Sequence, residues 1–299
     1  MMPGDSCLDL PARVPLRSQP RMLIIDCHAH LYGEDDKKYP PIDKPYKPPK
    51  GTGSLKHLRT EMKNAGVKLV TGVQTKTYYG WENRFTADAS RTHRDWMAGV
   101  VTLDPDDEHS PGLLEHYVRN DNVRGLRSIQ AKSGKLDDPG VVKLWEKALK
   151  LKATVCVLIN RDKAEELTTL LKRFAKLPVV LDHCLNLTAG KGLDKTLADV
   201  VKLAKQPNLY AKLSFLPVGS AQEYPFKDMH APCKEIIKAY GSSRCVWGSD
   251  FPCELWCPKT TYAKHLKLFT NELGLDKEVQ EAILGKTPEK LWFARDAKP

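Results

Sequence analysis

Eight short apolar segments, each followed by a stretch of helical periodicity, recur from residue 22 to the end of the chain, and no other feature narrows the possible folds as far. The strand-like segments are "MLIID" (22–26), "KLVTGVQ" (68–74), "MAGVVTL" (97–103), "VRGLRSI" (123–129), "ATVCVLI" (153–159), "PVVLDH" (178–183), "LYAKLS" (209–214) and "RCVWGS" (244–249). Between them lie amphipathic runs such as "GVVKLWEKALKLK", "DKAEELTTLLKRFAKL" and "LDKTLADVVKLAK", whose apolar residues recur at the spacing of one helix face. Strands that alternate with helices build parallel sheets. Eight such units in a chain of 299 residues are what a closed (β/α)8 barrel requires, whereas a doubly wound sheet uses fewer strands and a glycine turn after the first. No glycine turn follows "MLIID". The expected architecture is a single-domain α/β barrel over 22–299, with residues 1–21 as an N-terminal extension. "TPEKLW" predicts a last short helix with Thr287 as N-cap and Pro288 at its first position.

A hydrophobic content of 41% suits a large core, and no stretch approaches the roughly 18 uninterrupted apolar residues of a membrane span. Residues 1–21 are rich in arginine and proline and lack the apolar run of a secretory signal, and Met22 offers an alternative start. The eight cysteines stand largely in apolar runs such as "TVCVLI", where a free thiol packs as a small hydrophobe, so a reduced, cytoplasmic protein is expected. Cys253 and Cys257 have the spacing of half a zinc site, but no second Cys or His pair stands near them. The net charge of +10 favours anionic ligands. Its lysines are spread along helical faces rather than gathered into a tract, which argues against nucleic acid as the partner and for a small-molecule substrate. A homo-oligomer is compatible with everything so far.

In a (β/α)8 barrel the C-terminal strand ends converge on one mouth. His28 and His30 in "DCHAH" share a strand face at i and i+2, His183 ends the sixth strand in "VVLDHC", and Asp250 follows the eighth in "GSDFP". Each alone has an ordinary structural reading, as a hydrogen-bonded histidine or a loop-capping aspartate. Together they can do one of two things. They can hold a divalent ion such as zinc, which acidifies bound water and polarises a carbonyl, or without metal the imidazoles polarise the carbonyl while Asp250 takes a proton from water. Gln74 ends strand two, Trp81, Glu82, Asn83 and Arg84 lie in the loop after it, and Ser214 ends strand seven; all are candidates for substrate contact. The Pro- and Lys-rich stretch 37–52 is expected to lie over the mouth, and 215–230 to form a lid carrying Ser220, Tyr224 and His230.

The ordered series "DCHAH", "ENRFTADA", "GVVTLDP", "VRGLRSI", "VVLDHC", "LYAKLS" and "RCVWGSDFP" resembles the amidohydrolase superfamily, in particular the amidohydrolase-2 type that includes lactonases. The resemblance covers Met22 to Phe293. It implies that His28, His30 and His183 bind one divalent metal, or the carbonyl, and that Asp250 joins them and activates water. Arg127 in "GLRS" resembles an arginine with which such lactonases grip a substrate carboxylate, and its guanidinium fork suits that contact. Metal-rich members carry a strand-five histidine or a strand-four carboxylated lysine, and "ATVCVLINRD" offers neither, so at most one ion is expected. The reading that follows is a hydrolase of a cyclic ester. The rivals are a metal-dependent decarboxylase of the same superfamily and a ligand-binding barrel without turnover.

Overall fold

The computed structural model describes residues 22–294; the expected N-terminal extension lies outside the described residues. Eight strands form one parallel sheet in sequence order: β1 (Ile25–Ala29), β2 (Leu69–Val73), β3 (Met97–Thr102), β4 (Val123–Ser128), β5 (Thr154–Val157), β6 (Val179–Leu181), β7 (Leu209–Lys212) and β8 (Cys245–Val246). Every neighbouring pair is parallel, for example Thr102 opposite Arg127 and Arg127 opposite Cys156. A helix follows each strand, at Leu55–Ala65, Arg84–Thr92, Ser110–Asn120, Pro139–Lys150, Ala164–Arg173, Leu193–Leu203, His230–Tyr240 and Tyr262–Lys267. The expected barrel is the one observed.

Local chemistry places these helices. Ser54 caps the first by accepting from the His57 N–H, and Gly66 ends it in a left-handed conformation at φ 77°, open to glycine without a Cβ clash. Asp138 caps Pro139–Lys150 with proline in its first turn, and Val141, Leu144, Trp145 and Ala148 turn to the core at helical spacing. Inside the barrel, Ile25, Val100, Cys156, Val180 and Val246 pack against Leu291 and Trp292, which come from the chain's last helical turns. The seven cysteines among the described residues are free and buried.

Two boundaries differ from the sequence reading. Strand one runs from Ile25 to Ala29 rather than 22–26, so His28 is part of the strand and only His30 follows it. Its pairing with β2 shifts register between Asp26 and Ala29, an irregularity that apolar patterning does not announce. Thr287 does not cap a new helix. Its N–H bonds back to the Ala282 carbonyl in a wide five-residue turn, and helical backbone continues through Pro288. The wider turn carries the chain past a residue that an ordinary α-helical ladder rejects.

The ring closes between its first and last strands. Cys27 N–H donates to the Trp247 carbonyl at 3.1 Å, Asp250 N–H to the His28 carbonyl at 2.9 Å, and His30 N–H to the Phe251 carbonyl at 2.7 Å. Beneath these bonds the fully buried Asp26 carboxylate accepts from Ser249 N–H (2.9 Å), Ser249 Oγ–H (2.6 Å), Tyr262 O–H (3.0 Å) and His28 N–H (3.0 Å). Burial pushes the Asp26 carboxyl above its ordinary value, and these donors pull it partly back. Gly248 lets the strands approach, since a Cβ there would stand 2.6 Å from the His28 Cβ. Asp26→Ala would strand the buried Ser249 and Tyr262 donors, and is expected to cost about 3 kcal/mol in urea denaturation. A loss under about 1 kcal/mol would mean the seam is held by packing alone.

Candidate active site at the barrel mouth

His28 and His30 face each other across 3.1 Å between their Nε2 atoms, and Asp250 Oδ1 lies 3.6 Å from both. Strands far apart in sequence meet there. His30 Nδ1 contacts the Val73 carbonyl at 2.9 Å; a carbonyl only accepts, so Nδ1 carries the proton and Nε2 presents its lone pair. His28 Nδ1 faces the Lys212 ammonium at 3.1 Å, which only donates, so the His28 proton sits on Nε2. Desolvation, then the Lys212 charge, holds His28 well below the usual imidazole range, and desolvation with Arg127 does the same to His30. Both rings are neutral.

Lys212 and Asp182 were not singled out by the sequence reading. Both are fully buried, with Lys212 Nζ 2.7 Å from Asp182 Oδ1. Arg127 Nε stands 3.5 Å from the other oxygen, Oδ2. Burial is the largest single influence on Lys212 and opposes its charge, but its partners together, Asp182 first among them, raise the lysine above its ordinary value. The signal in the sequence was period two: in "LYAKLS" the lysine stands two residues after Tyr210 and so shares its strand face, and Tyr210 packs inside the barrel. A lysine on an inward face needs a counter-ion, and the aspartate of "LDH" on the neighbouring strand supplies it.

His183 Nδ1 pairs with Ser214 Oγ at 2.9 Å, and its ring centroid is 4.8 Å from that of His28. Desolvation lowers it to about 4. The backbone that presents it is unusual: His183, Cys184, Leu185 and Asn186 have φ of 53°, 47°, 60° and 54°, a full left-handed turn without glycine. Asp250, at φ 56°, is left-handed too. Each such residue costs about 1–3 kcal/mol, and strain of this kind clusters at functional sites. Burial pushes the Asp250 carboxyl up to about 7, with Arg127 pulling the other way.

A cavity of about 590 Å³ opens on this cluster, lined by His30, Arg127, His183 and Asp250 among others. Stretch 37–52 does reach it: Ile42 lines the cavity, and the Tyr46 ring packs 5.3 Å from Trp256. Gln74 and Asn83 are turned to other work. The Gln74 amide donates to the Gly80 and Glu82 carbonyls, and Asn83 bonds both the N–H and the carbonyl of Thr102, so these two tie the loop after β2 to β3. Trp81 and Glu82 lie in that loop, Arg84 opens the helix Arg84–Thr92 instead, and none of the three lines the cavity. In the lid segment, Val218 and Gly219 line it, while Ser220 bonds Asp228, Tyr224 O–H bonds Glu272, and His230 bonds the Pro225 carbonyl. Cys253 and Cys257 both direct their thiols at the Ser249 carbonyl, at 3.8 Å each.

The donor atoms of His28, His30 and Asp250 lie within 4.8 Å of one another, the one such set among the described residues. Two imidazoles and a carboxylate fit one divalent ion by type and spacing, and His30 is already oriented by its carbonyl partner. His28 could ligate only after moving its proton to Nδ1, against Lys212. His183 falls outside the set.

The sequence model of the amidohydrolase family matches residues 25–294. A search of curated proteins returns no match. Among solved structures, the chain is similar to a probable 2-pyrone-4,6-dicarboxylic acid hydrolase from Acinetobacter baumannii with citric acid bound, at 20% identity and TM-score 0.74, over 91% of this chain and 99% of that one. It is also similar to an amidohydrolase from Burkholderia multivorans with bound zinc (20%, TM-score 0.72, 90% and 99% covered). A third is 5-carboxyvanillate decarboxylase from Sphingomonas paucimobilis (15%, TM-score 0.63, 91% and 99%).

Lys212→Met leaves Asp182 as a buried carboxylate without its ammonium, and is expected to cost about 3–5 kcal/mol of stability. Asp182→Asn added to it should recover a large part of that loss. A double variant as unstable as the sum of the two singles would show that the residues do not act as a pair.

Proposed function

The chain belongs to the amidohydrolase family, and we propose that it hydrolyses a cyclic ester or related carboxyl derivative of a small anion. The observation that carries this reading is Asp250: a cavity-lining carboxylate within 3.6 Å of two neutral imidazoles, pushed by burial to about 7. A base with that affinity is part ionised at neutral pH and strong enough to accept a proton from attacking water. Asp250 takes this proton as the water oxygen bonds to the carbonyl carbon. The proton returns to the ring oxygen as the acyl–oxygen bond breaks, giving a hydroxy acid.

His183, held at Nδ1 by Ser214, keeps Nε2 for the substrate oxygen. Arg127 faces the same cavity and binds the substrate carboxylate; Ser214, fully buried and outside the cavity lining, acts through its bond to His183 rather than on the substrate. An ion would be held by His28, His30 and Asp250, and when bound would polarise the carbonyl and lower the pKa of water. Zinc fits this set, and His183, outside it, borders the cavity beside it. No helix among the described residues is long and apolar enough to cross a membrane.

A panel of lactones followed by acid release tests the reading. Asp250→Asn should lower kcat by about 10³-fold or more while the ligand still binds. Release of CO2 instead of acid would replace the hydrolase with a decarboxylase, and unchanged kinetics in Asp250→Asn would remove its role. Arg127→Met should raise KM by roughly tenfold or more for carboxylated lactones and little for neutral ones.

Zinc affinity of the metal-free protein should depend on pH in one direction. Asp250 must lose its proton to ligate, while both histidines are already neutral, so affinity rises about tenfold per pH unit up to about 7 and then levels. Calorimetric affinity flat from pH 5.5 to about 7.5 would exclude Asp250 from the ion's ligands.

A further inference from the structure

The cavity wall is divided by chemistry. On the side of β2 to β4 it carries Thr75, Thr102 and Arg127, and on the side of β4 to β7 it carries Ile129, Leu158, Leu187, Phe215 and Val218. The polar side is built for little more than one anionic group. Thr102 is fully buried and its hydroxyl has no hydrogen-bond partner among the described residues, while Arg127 Nε stands 3.5 Å from the Asp182 carboxylate and Thr75 lies beside the Tyr32 hydroxyl. Thr102 and Arg127 are register partners on adjacent strands and both line the cavity, so a hydroxyl and a guanidinium border it side by side. A buried hydroxyl left unpaired costs about 1–3 kcal/mol, which marks Thr102, beside Arg127, as a ligand contact.

Over the strand ends that follow β4 to β7 the wall is mainly apolar; its polar side chains are His183 of the catalytic cluster and, at the exposed rim, Asn186 and Thr188, which bond Asn160 and the Asn186 carbonyl. A substrate hydroxyl laid against Leu158 or Phe215 would lose its water and gain nothing in return. A second carboxylate would find Asp250 and no further buried cation lining the cavity; Lys76, at the rim, is exposed and stacked over Trp81 at 4.4 Å. Resting on the proposed hydrolysis, we infer that the substrate is an amphipathic monoanion. It carries one carboxylate for Arg127 and Thr102, and an alkyl or aryl body for the Leu158–Phe215 wall. Polycarboxylates and polyhydroxylated sugar acids are disfavoured.

Calorimetry on the full chain with 3-phenylpropionate, gluconate and citrate reads this without turnover. The aryl monoanion should bind about tenfold tighter than either of the others. Thr102→Val, which keeps the shape and removes the hydroxyl, should weaken it several-fold. Val218→Asp should weaken it about tenfold, and Val218 is 55% exposed, so the fold tolerates the change. Gluconate or citrate binding as tightly as 3-phenylpropionate, or no binding of 3-phenylpropionate in the millimolar range, would overturn the inference. A chain that binds 3-phenylpropionate as expected and opens no lactone would refute the hydrolysis alone. One that opens sugar lactones and prefers gluconate keeps the hydrolysis and loses the amphipathic substrate.

Discussion

Everything at the mouth of this barrel depends on one carboxylate beneath it. Asp26 is buried, receives four donors, and three of them reach it from His28 and Ser249 on the two sides of the seam. A β-strand edge left open would expose unpaired backbone groups; the ring satisfies them by bringing the segment after β8 against β1. That pairing sets His28 and Asp250 side by side. The anchoring is therefore polar and directional, where the rest of the barrel is held by apolar packing that tolerates small shifts.

Above the seam the electrostatics are arranged in two layers. Lys212 and Asp182 form a buried ion pair, costly to desolvate and weak as a source of stability. Its effect is orientation. The ammonium dictates which nitrogen of His28 holds the proton, and Asp182 stands between Lys212 and Arg127. The upper layer, His30, His183, Arg127 and Asp250, borders the cavity and is the one a ligand meets. The left-handed turn at 183–186 shows that the backbone itself is strained to bring His183 to that border.

Much of this was legible from patterning. Alternating apolar strands and amphipathic helices carried the barrel, because both periods are dictated by backbone geometry and neither depends on distant contacts. His28, His30, His183 and Asp250 were visible because the fold predicts where strand ends go. What escaped was tertiary. Gln74 and Asn83 sit where a substrate contact would, but their amides face backbone carbonyls of a neighbouring loop, and no local rule announces that. Lys212 looked like one more of many lysines until its inward phase was matched to Asp182. The helix start expected at Thr287 failed because a wide turn, not a cap, carries the chain past Pro288.

The seam also orders events in time. Asp26 and Ser249 are 223 residues apart in sequence, and Tyr262 lies further on still. A chain emerging from the ribosome N-terminus first can pair β1 with β2 early, yet it holds no assembled site until almost the whole polypeptide has been made. Truncated products that end before Trp247 are therefore left with an unsealed strand edge and without Asp250. Quality control by proteases would meet them as open sheets, while only the finished ring acquires both protection and chemistry in a single step.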